Sequence, residues 1–329
     1  MELEDIALKY FAKENIDSVK NFNGKVIVTI KNTTENASVS EELKKELLAL
    51  ENITKATVIF TQTINNASIT PSIEKWKING VKKIIGVASG KGGVGKSTTA
   101  INLALALSNL GKKVAVFDAD IYGPSVPTML GFENMPVVSL DGKLFEPFCN
   151  FGVKATSIGA LIDKDTPLIW RGAKACGAIE QLLTETNWGE IDIMVIDMPP
   201  GTGDIQITLS QRIDFAGIVI VSTPQDIALI DAVKGVNMFK KIGVKILGIV
   251  ENMIYYLCEK CGHRANIFGC EGAKNTALKL GQTFLGEIPL HFDIRENADN
   301  GTPIVMAKPD SEHTKSYENI AQKIIDELN

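Results

Sequence analysis

The stretch IIGVASGKGGVGKSTTAINLALAL, residues 84–107, decides the fold. An apolar run leads into a glycine-rich turn, and the turn opens a segment rich in Ala and Leu. From Gly90 to Ser97 it fits G-x-x-x-x-G-K-[ST] in the strand-then-helix context that this phosphate-binding motif needs. Glycines leave backbone N–H groups free to point at phosphate oxygens, and the start of a helix adds partial positive charge. Lys96 is expected on the β and γ phosphates and Ser97 on Mg²⁺. The expected nucleotide contacts are therefore Gly90, Lys91, Gly92, Gly93, Val94, Gly95, Lys96, Ser97 and Thr98, with ATP as the ligand. A purely structural glycine turn would not require loop, lysine, hydroxyl and flanking elements to agree in this way.

Outward from this loop, short apolar runs alternate with helical patterns. KIIGVAS, KVAVFD, IDIMVID, AGIVIVST and VKILGIVEN are strand-like, with Thr98 to Leu110 and Ile227 to Ile242 among the helical segments between them. Continuous apolar strands separated by helices predict an α/β architecture: a P-loop NTPase with a mostly parallel sheet covered by helices on both faces. Ligands then sit at the carboxyl ends of the strands. A small α+β domain is expected before it, over residues 1–64. There Leu3, Ile6, Ala7, Tyr10 and Phe11 recur at helical spacing, and Val26, Val28 and Ile30 mark a strand. Ser38 and Glu41 suggest a capping box before Leu43 and Leu47, and TKATVIF suggests a second strand. Residues 65–80 are expected to be a linker, leaving 81–329 for the ATPase domain.

Composition narrows the function classes. The 329 residues are 45% apolar, enough for one large core and a smaller one. Lys plus Arg number 34 against 39 Asp plus Glu, a net charge of −5, and no basic run offers a nucleic acid backbone a partner. The opening MELEDIALKYFAKENID is acidic and has no apolar targeting core, and no apolar stretch approaches a membrane span. A cytoplasmic protein that engages neither nucleic acid nor membrane is expected. The five cysteines, 149, 176, 258, 261 and 270, are sparse and odd in number. Reduced thiols or metal ligands are expected rather than disulfides, with Cys149 and Cys176 in the core.

Carboxylates at strand ends complete an ATPase. Asp197 closes IDIMVID, which is how a Walker B strand presents its carboxylate to hydrated Mg²⁺. Asp118 and Asp120 close KVAVFDAD. The loop SGKGGVGKST, residues 89–98, resembles the deviant Walker A loop of the ParA/MinD-type ATPases. That resemblance implies a homodimer sandwiching nucleotide, in which Lys91 reaches the partner's ATP as a catalytic cation supplied in trans. It further implies that Asp120 is the catalytic switch carboxylate near the attacking water, that Asp118 supports the strand end, and that Gly201 and Gly203 give the second switch its mobility.

More motifs narrow the resemblance: DMPPGTGD at 197–204, WRG at 170–172, Asn252-Met253, CEKC at 258–261, and IPLHFDIRENADNGTP at 288–303. On these the chain is identified as a member of the Mrp (ApbC-type) branch, over about residues 82 to 310. The branch consists of ATP-binding iron–sulfur cluster carriers, and it implies an adenine contact for Asn252 and closure around the base by Pro289. YLCEKCGHRANIFGC, residues 256–270, looks like half of a metal site. Four thiolates suit zinc or a [4Fe–4S] cluster, so the residues alone leave both open. The resemblance implies a cluster held by Cys258 and Cys261 of two chains, and passed from an assembly scaffold to apo-protein recipients. His263 is expected to be a polar loop residue and Cys270 a small turn residue. Two other functions compete. A positioning ATPase of the ParA/MinD kind would call for a basic surface or an amphipathic anchor, yet HTKSYENIAQKIIDELN has balanced charges. A zinc-clasped targeting ATPase would call for a Met-rich groove, and the eight Met form no stripe.

Overall fold

The computed structural model describes residues 3–22, 24–31, 37–61, 74–133, 135–139, 142–161, 172–258 and 260–329. Contacts divide the chain into Met1–Ser72 and Ile73–Asn329.

In the first unit a helix at Leu3–Ala7 precedes strands β1 (Ile16–Phe22) and β2 (Lys25–Lys31), then a helix at Ala37–Leu48 and strand β3 (Lys55–Thr61). The sheet order is β1-β2-β3, antiparallel then parallel. Val26, Val28 and Ile30 alternate into a core with Ile6, Leu43 and Leu47, as the period of two requires. Three local expectations change. The first helix ends at Ala7, and Tyr10 and Phe11 follow it. The second helix includes Ala37, so Ser38 lies inside it, and Glu41 pairs with Lys44. Strand β1 was not expected, because Ile16, Val19 and Phe22 are three apart and its pattern lacks strand alternation. Pairing with β2 overrides that local signal.

The second unit holds β4 (Val81–Ala88), β5 (Val114–Asp118), β6 (Phe148–Asn150), β7 (Val153–Ser157), β8 (Ile191–Asp197), β9 (Gly217–Ser222), β10 (Ile246–Leu257), β11 (Arg264–Ala265) and β12 (Phe284–Leu290). Their order is β11-β10-β9-β4-β8-β5-β7-β6, with β12 also pairing with β10. Among the strand pairs described in this sheet, β6–β7 and β10–β11 are antiparallel and the others parallel. Alternate side chains of each central strand enter different cores. Ile85, Val87, Val116, Val195 and Val219 pack with the helices Lys96–Asn109 and Glu312–Leu328. Ile84, Phe117, Met194, Ile196 and Ile220 pack with Gly172–Thr184, Asp226–Ile242 and Gly272–Leu280. Burial on both faces is why these strands are continuously apolar. Among the described residues no helix is long and apolar enough to cross a membrane.

The expected linker over 65–80 is shorter at its carboxyl side. Residues 62–73 lie outside the described set, but Trp76 is 9% exposed and packs in the second unit's core. Its N–H donates to the Arg212 carbonyl at 2.8 Å, and the Lys75 ammonium donates to the Ile213 carbonyl at 2.9 Å. A buried indole of this size fixes its segment to the domain it fills. Trp76→Ala is expected to destabilise the second unit by ~3–5 kcal/mol, measured by denaturant unfolding of the full chain. An unchanged midpoint and slope would return residues 74–80 to the linker.

Candidate functional site

The site forms where β4, β5 and β8 end, beside the middle of β10. After β4, the loop rises through Gly90 to Gly95 and hands over to the helix Lys96–Asn109. Two glycines are required by contact. A Cβ on Gly90 would stand 2.2 Å from the backbone carbonyl carbon of Asp231, on the helix Asp226–Ile242. Gly95 has φ 81°, in the left-handed region, and a Cβ there would meet the Asn252 side chain at 2.2 Å. By contrast a Cβ on Gly92 or Gly93 would meet nothing within 4 Å, although Gly93, at φ 79°, shares the left-handed conformation of Gly95. Lys91 is half-buried at the start of the loop, and its carbonyl accepts from the Ser89 hydroxyl at 2.8 Å.

Lys96 gathers the carboxylates. Its ammonium, 6% exposed as a residue, donates to Asp197 Oδ1 at 2.5 Å and lies 3.6 Å from Asp120 Oδ2 and 3.3 Å from Ser97 Oγ. Burial pushes the Asp197 carboxyl up, and the neighbouring Lys96 charge opposes this. Asp197 Oδ2 is buried without a hydrogen-bond partner. An orphaned carboxylate oxygen beside a serine hydroxyl at a helix N-terminus fits hydrated Mg²⁺, whose preferred ligands are hard oxygens and water.

Asp118 has a different task. Its Oδ1 accepts from the Asp120 N–H, and its Oδ2 accepts from Ser125 N, Val126 N and the Ser157 hydroxyl, all at 3.0–3.1 Å. Four donors on a carboxylate with no exposed surface make it the organiser of the loop that carries Asp120. Burial first, and Asp197 second, push the Asp118 carboxyl up to about 7, against its backbone donors and Lys96.

Strand β10 links this loop to the cysteines. Asn252 is 6% exposed, and its Nδ2 donates to the Val94 carbonyl at 2.8 Å. In the neighbouring strand β12 Ile288 pairs with Asn252, and the buried Pro289 follows it. Met253 adopts φ 59°, a strained conformation for a side-chain-bearing residue, where the register with β12 shifts. Beyond it β10 continues into a hairpin with β11, and Cys258 and Cys261 occupy the turn. The Cys258 N–H donates to the His263 carbonyl at 2.9 Å, and the Cys258 carbonyl accepts from Gly262 at 2.8 Å. Cys258 is half-buried, and Cys261, His263 and Cys270 are exposed.

None of the five cysteines is in a disulfide. Two expectations are corrected: Cys149 is exposed and Cys176 only half-buried. Cys149 stands on β6 at the sheet edge, and Cys176 lies off the stripe of Ala175, Ile179, Leu182 and Leu183 that packs into the core. Of the WRG motif, Trp170 and Arg171 lie outside the described residues. Glu251 had no predicted role. It is fully buried on β10, and Oε1 accepts from the Ala273 N–H at 2.9 Å, pinning the helix Gly272–Leu280 that follows Cys270. A lone carboxylate inside VKILGIVEN was its signal.

A family profile described as the ParA-type "NUBPL iron-transfer P-loop NTPase" matches residues 80–325. The chain is 50% identical over 293 residues to an iron-sulfur cluster carrier protein of Escherichia coli, covering 88% of this chain and 79% of that one. It is 49% identical over 253 residues to the iron-sulfur cluster transfer protein NUBPL of Mus musculus, covering 76% and 79%. Among solved structures, a nucleotide-binding protein of Archaeoglobus fulgidus in complex with ADP superposes with a TM-score of 0.63 at 36% identity, covering 73% of this chain and 93% of that one. The cell division ATPase MinD of Pyrococcus furiosus superposes at 0.56 with 24% identity over 74% and 98%, a likeness of fold alone.

Asp118→Asn replaces one acceptor oxygen with a donor facing N–H and O–H groups. It is expected to cost ~1–3 kcal/mol of stability while leaving the phosphate loop able to bind nucleotide, checked by unfolding and by ATP titration. Unchanged stability would remove the organising role.

Proposed function

Because the chain belongs to the ParA-type NUBPL iron-transfer P-loop NTPase family, we propose that it is an ATP-hydrolysing carrier of iron–sulfur clusters, acting as a homodimer. The observation that carries the proposal is the single strand β10: Asn252 grips the phosphate loop, and the C-x-x-C turn lies at the strand's far end. The names of the relatives, a cluster carrier and a cluster transfer protein, support the cargo.

In this reading the amides of Gly92 to Ser97 and the Lys96 ammonium hold the ATP phosphates, with Gly90 and Thr98 shaping the two ends of the cradle. Ser97 and Asp197 would hold Mg²⁺, which neutralises charge on the β and γ oxygens when bound. Asp120 orients the attacking water. Lys91 crosses to the partner's nucleotide and meets charge that develops on the transferred group. The Asn252 Nδ2 is already engaged by Val94, so its Oδ1 is left to accept from the adenine amino group, with Pro289 closing the base site. Cys258 and Cys261 from each chain hold one [4Fe–4S] cargo between them, which is passed to apo-proteins after loading from a scaffold. One exposed and one half-buried thiol per chain suit a cargo that must leave.

Anaerobic reconstitution tests the shared site. One cluster per dimer gives about four irons per two chains, with visible charge-transfer absorption that zinc cannot produce. Uptake that survives Cys258→Ala unchanged, or colourless protein with stoichiometric zinc, would overturn it.

The two lysines separate binding from turnover. Lys96→Ala is expected to lose ATP affinity, whereas Lys91→Ala keeps most of it and loses on the order of 10³-fold in kcat. Near-normal hydrolysis in Lys91→Ala would remove the action in trans.

A further inference from the structure

Just beyond β12, three metal-ligating side chains meet that neither the P-loop nor the cysteines use. His291 leads into the helix Phe292–Asp299, Asp293 lies in that helix's first turn, and His313 lies in the first turn of Glu312–Leu328. One potential ligand atom from each lies within 4.8 Å of the others. His291 Nδ1 is 3.4 Å from Asp293 Oδ2, with both side chains about nine-tenths buried. The rings of His291 and His313 are 4.5 Å apart. The second, independent observation is that His313 Nδ1 is buried with no hydrogen-bond partner.

We propose that His291, Asp293 and His313 form a second metal site, for a zinc-like divalent cation, separate from the cysteine turn. Nitrogen and oxygen ligands about 2.0–2.1 Å from a tetrahedral ion are roughly 3.3–3.4 Å from one another, the separation found between His291 and Asp293. Two imidazoles and a carboxylate make three protein ligands of the types zinc takes, with the fourth position left for water or a substrate group. A buried nitrogen without a partner is costly, and a metal bond satisfies it. Burial, and then the neighbouring His291, hold the His313 imidazole below its ordinary range, which preserves the lone pair that ligation needs.

Two interactions compete. His291 Nδ1 accepts from the Asp293 N–H at 3.2 Å, a helix cap that metal ligation replaces. The Lys308 ammonium contacts Asp293 Oδ2, but its side chain is half exposed and can withdraw to water. Glu312 is the other carboxylate whose field reaches His313. The bound ion would join the helix Glu312–Leu328 to the segment that follows Pro289, so the site would brace the edge where β12 ends.

The test uses the full chain carrying Cys258→Ser and Cys261→Ser, so that the thiolate turn cannot bind, with Co²⁺ as an absorbing probe and Zn²⁺ as competitor. The expected result is saturable uptake of one Co²⁺ per chain, with ligand-field bands but no thiolate charge-transfer band. Loss of a hydrogen-bonded neighbour of a ligand already costs 10–100-fold, so His291→Ala and His313→Ala are each expected to weaken Co²⁺ by ~100-fold or more. Lys308→Met removes a competing cation and is expected to tighten binding severalfold. ATP binding by each variant serves as the control for folding. Non-saturable uptake, a thiolate band, or affinity unchanged in both histidine variants would overturn the proposal, as would Lys308→Met leaving affinity unmoved.

Discussion

The contact between Lys96 and Asp197 is the interaction on which the site depends. An ammonium and a carboxylate this deeply buried persist only because each faces the other, since removing either strands an uncompensated charge at a cost of several kcal/mol. Their meeting requires that β8 end level with the start of the P-loop helix, which the parallel register of β4 with β8 provides. Asp120 joins the same ammonium because Asp118, one strand away, holds its loop through three hydrogen bonds from backbone N–H groups and is itself held to β7 by the Ser157 hydroxyl. Three chain segments are thus placed by charge and hydrogen bonding on a scaffold built by apolar alternation.

Strand β10 extends that order to the cysteines. Asn252 fixes it to the phosphate loop, Glu251 fixes the following helix to it, and Met253 marks the kink between the two ends. Both polar residues are buried at the middle of an otherwise apolar strand, where an unsatisfied amide or carboxylate is costly. A shift of the loop on nucleotide closure would therefore be felt along one continuous backbone leading to the cysteine turn. That continuity is a physical basis for coupling, and its strength is a matter for equilibrium measurement.

Much of this was legible in the sequence because the signals are local. The P-loop carries its glycines, lysine and hydroxyl within eight residues, Asp118 and Asp197 end apolar runs, and Asp120 stands two residues beyond Asp118. The parallel core followed from strands apolar on both faces. What was hidden depended on distant partners. Strand β1 exists through β2, and Trp76 belongs to the second unit through Arg212 and the core beside it. Cys149 and Cys176 looked like core residues by type, but their strand edge and helix face are fixed only by tertiary packing. His291, Asp293 and His313 are brought together by the docking of the last helix, which no spacing in the sequence announces.

The central claim is that the nucleotide and the cargo act on one equilibrium through β10. It is tested most directly by the ATP dissociation constant of apo and cluster-loaded protein, measured anaerobically under identical conditions. Linkage between the sites predicts that the two values differ by a factor of about 5–150, corresponding to ~1–3 kcal/mol, and that ATP changes cluster affinity by the same factor. Equal ATP affinity with and without cluster would contradict it, leaving the phosphate loop and the cysteine turn as independent sites on one chain.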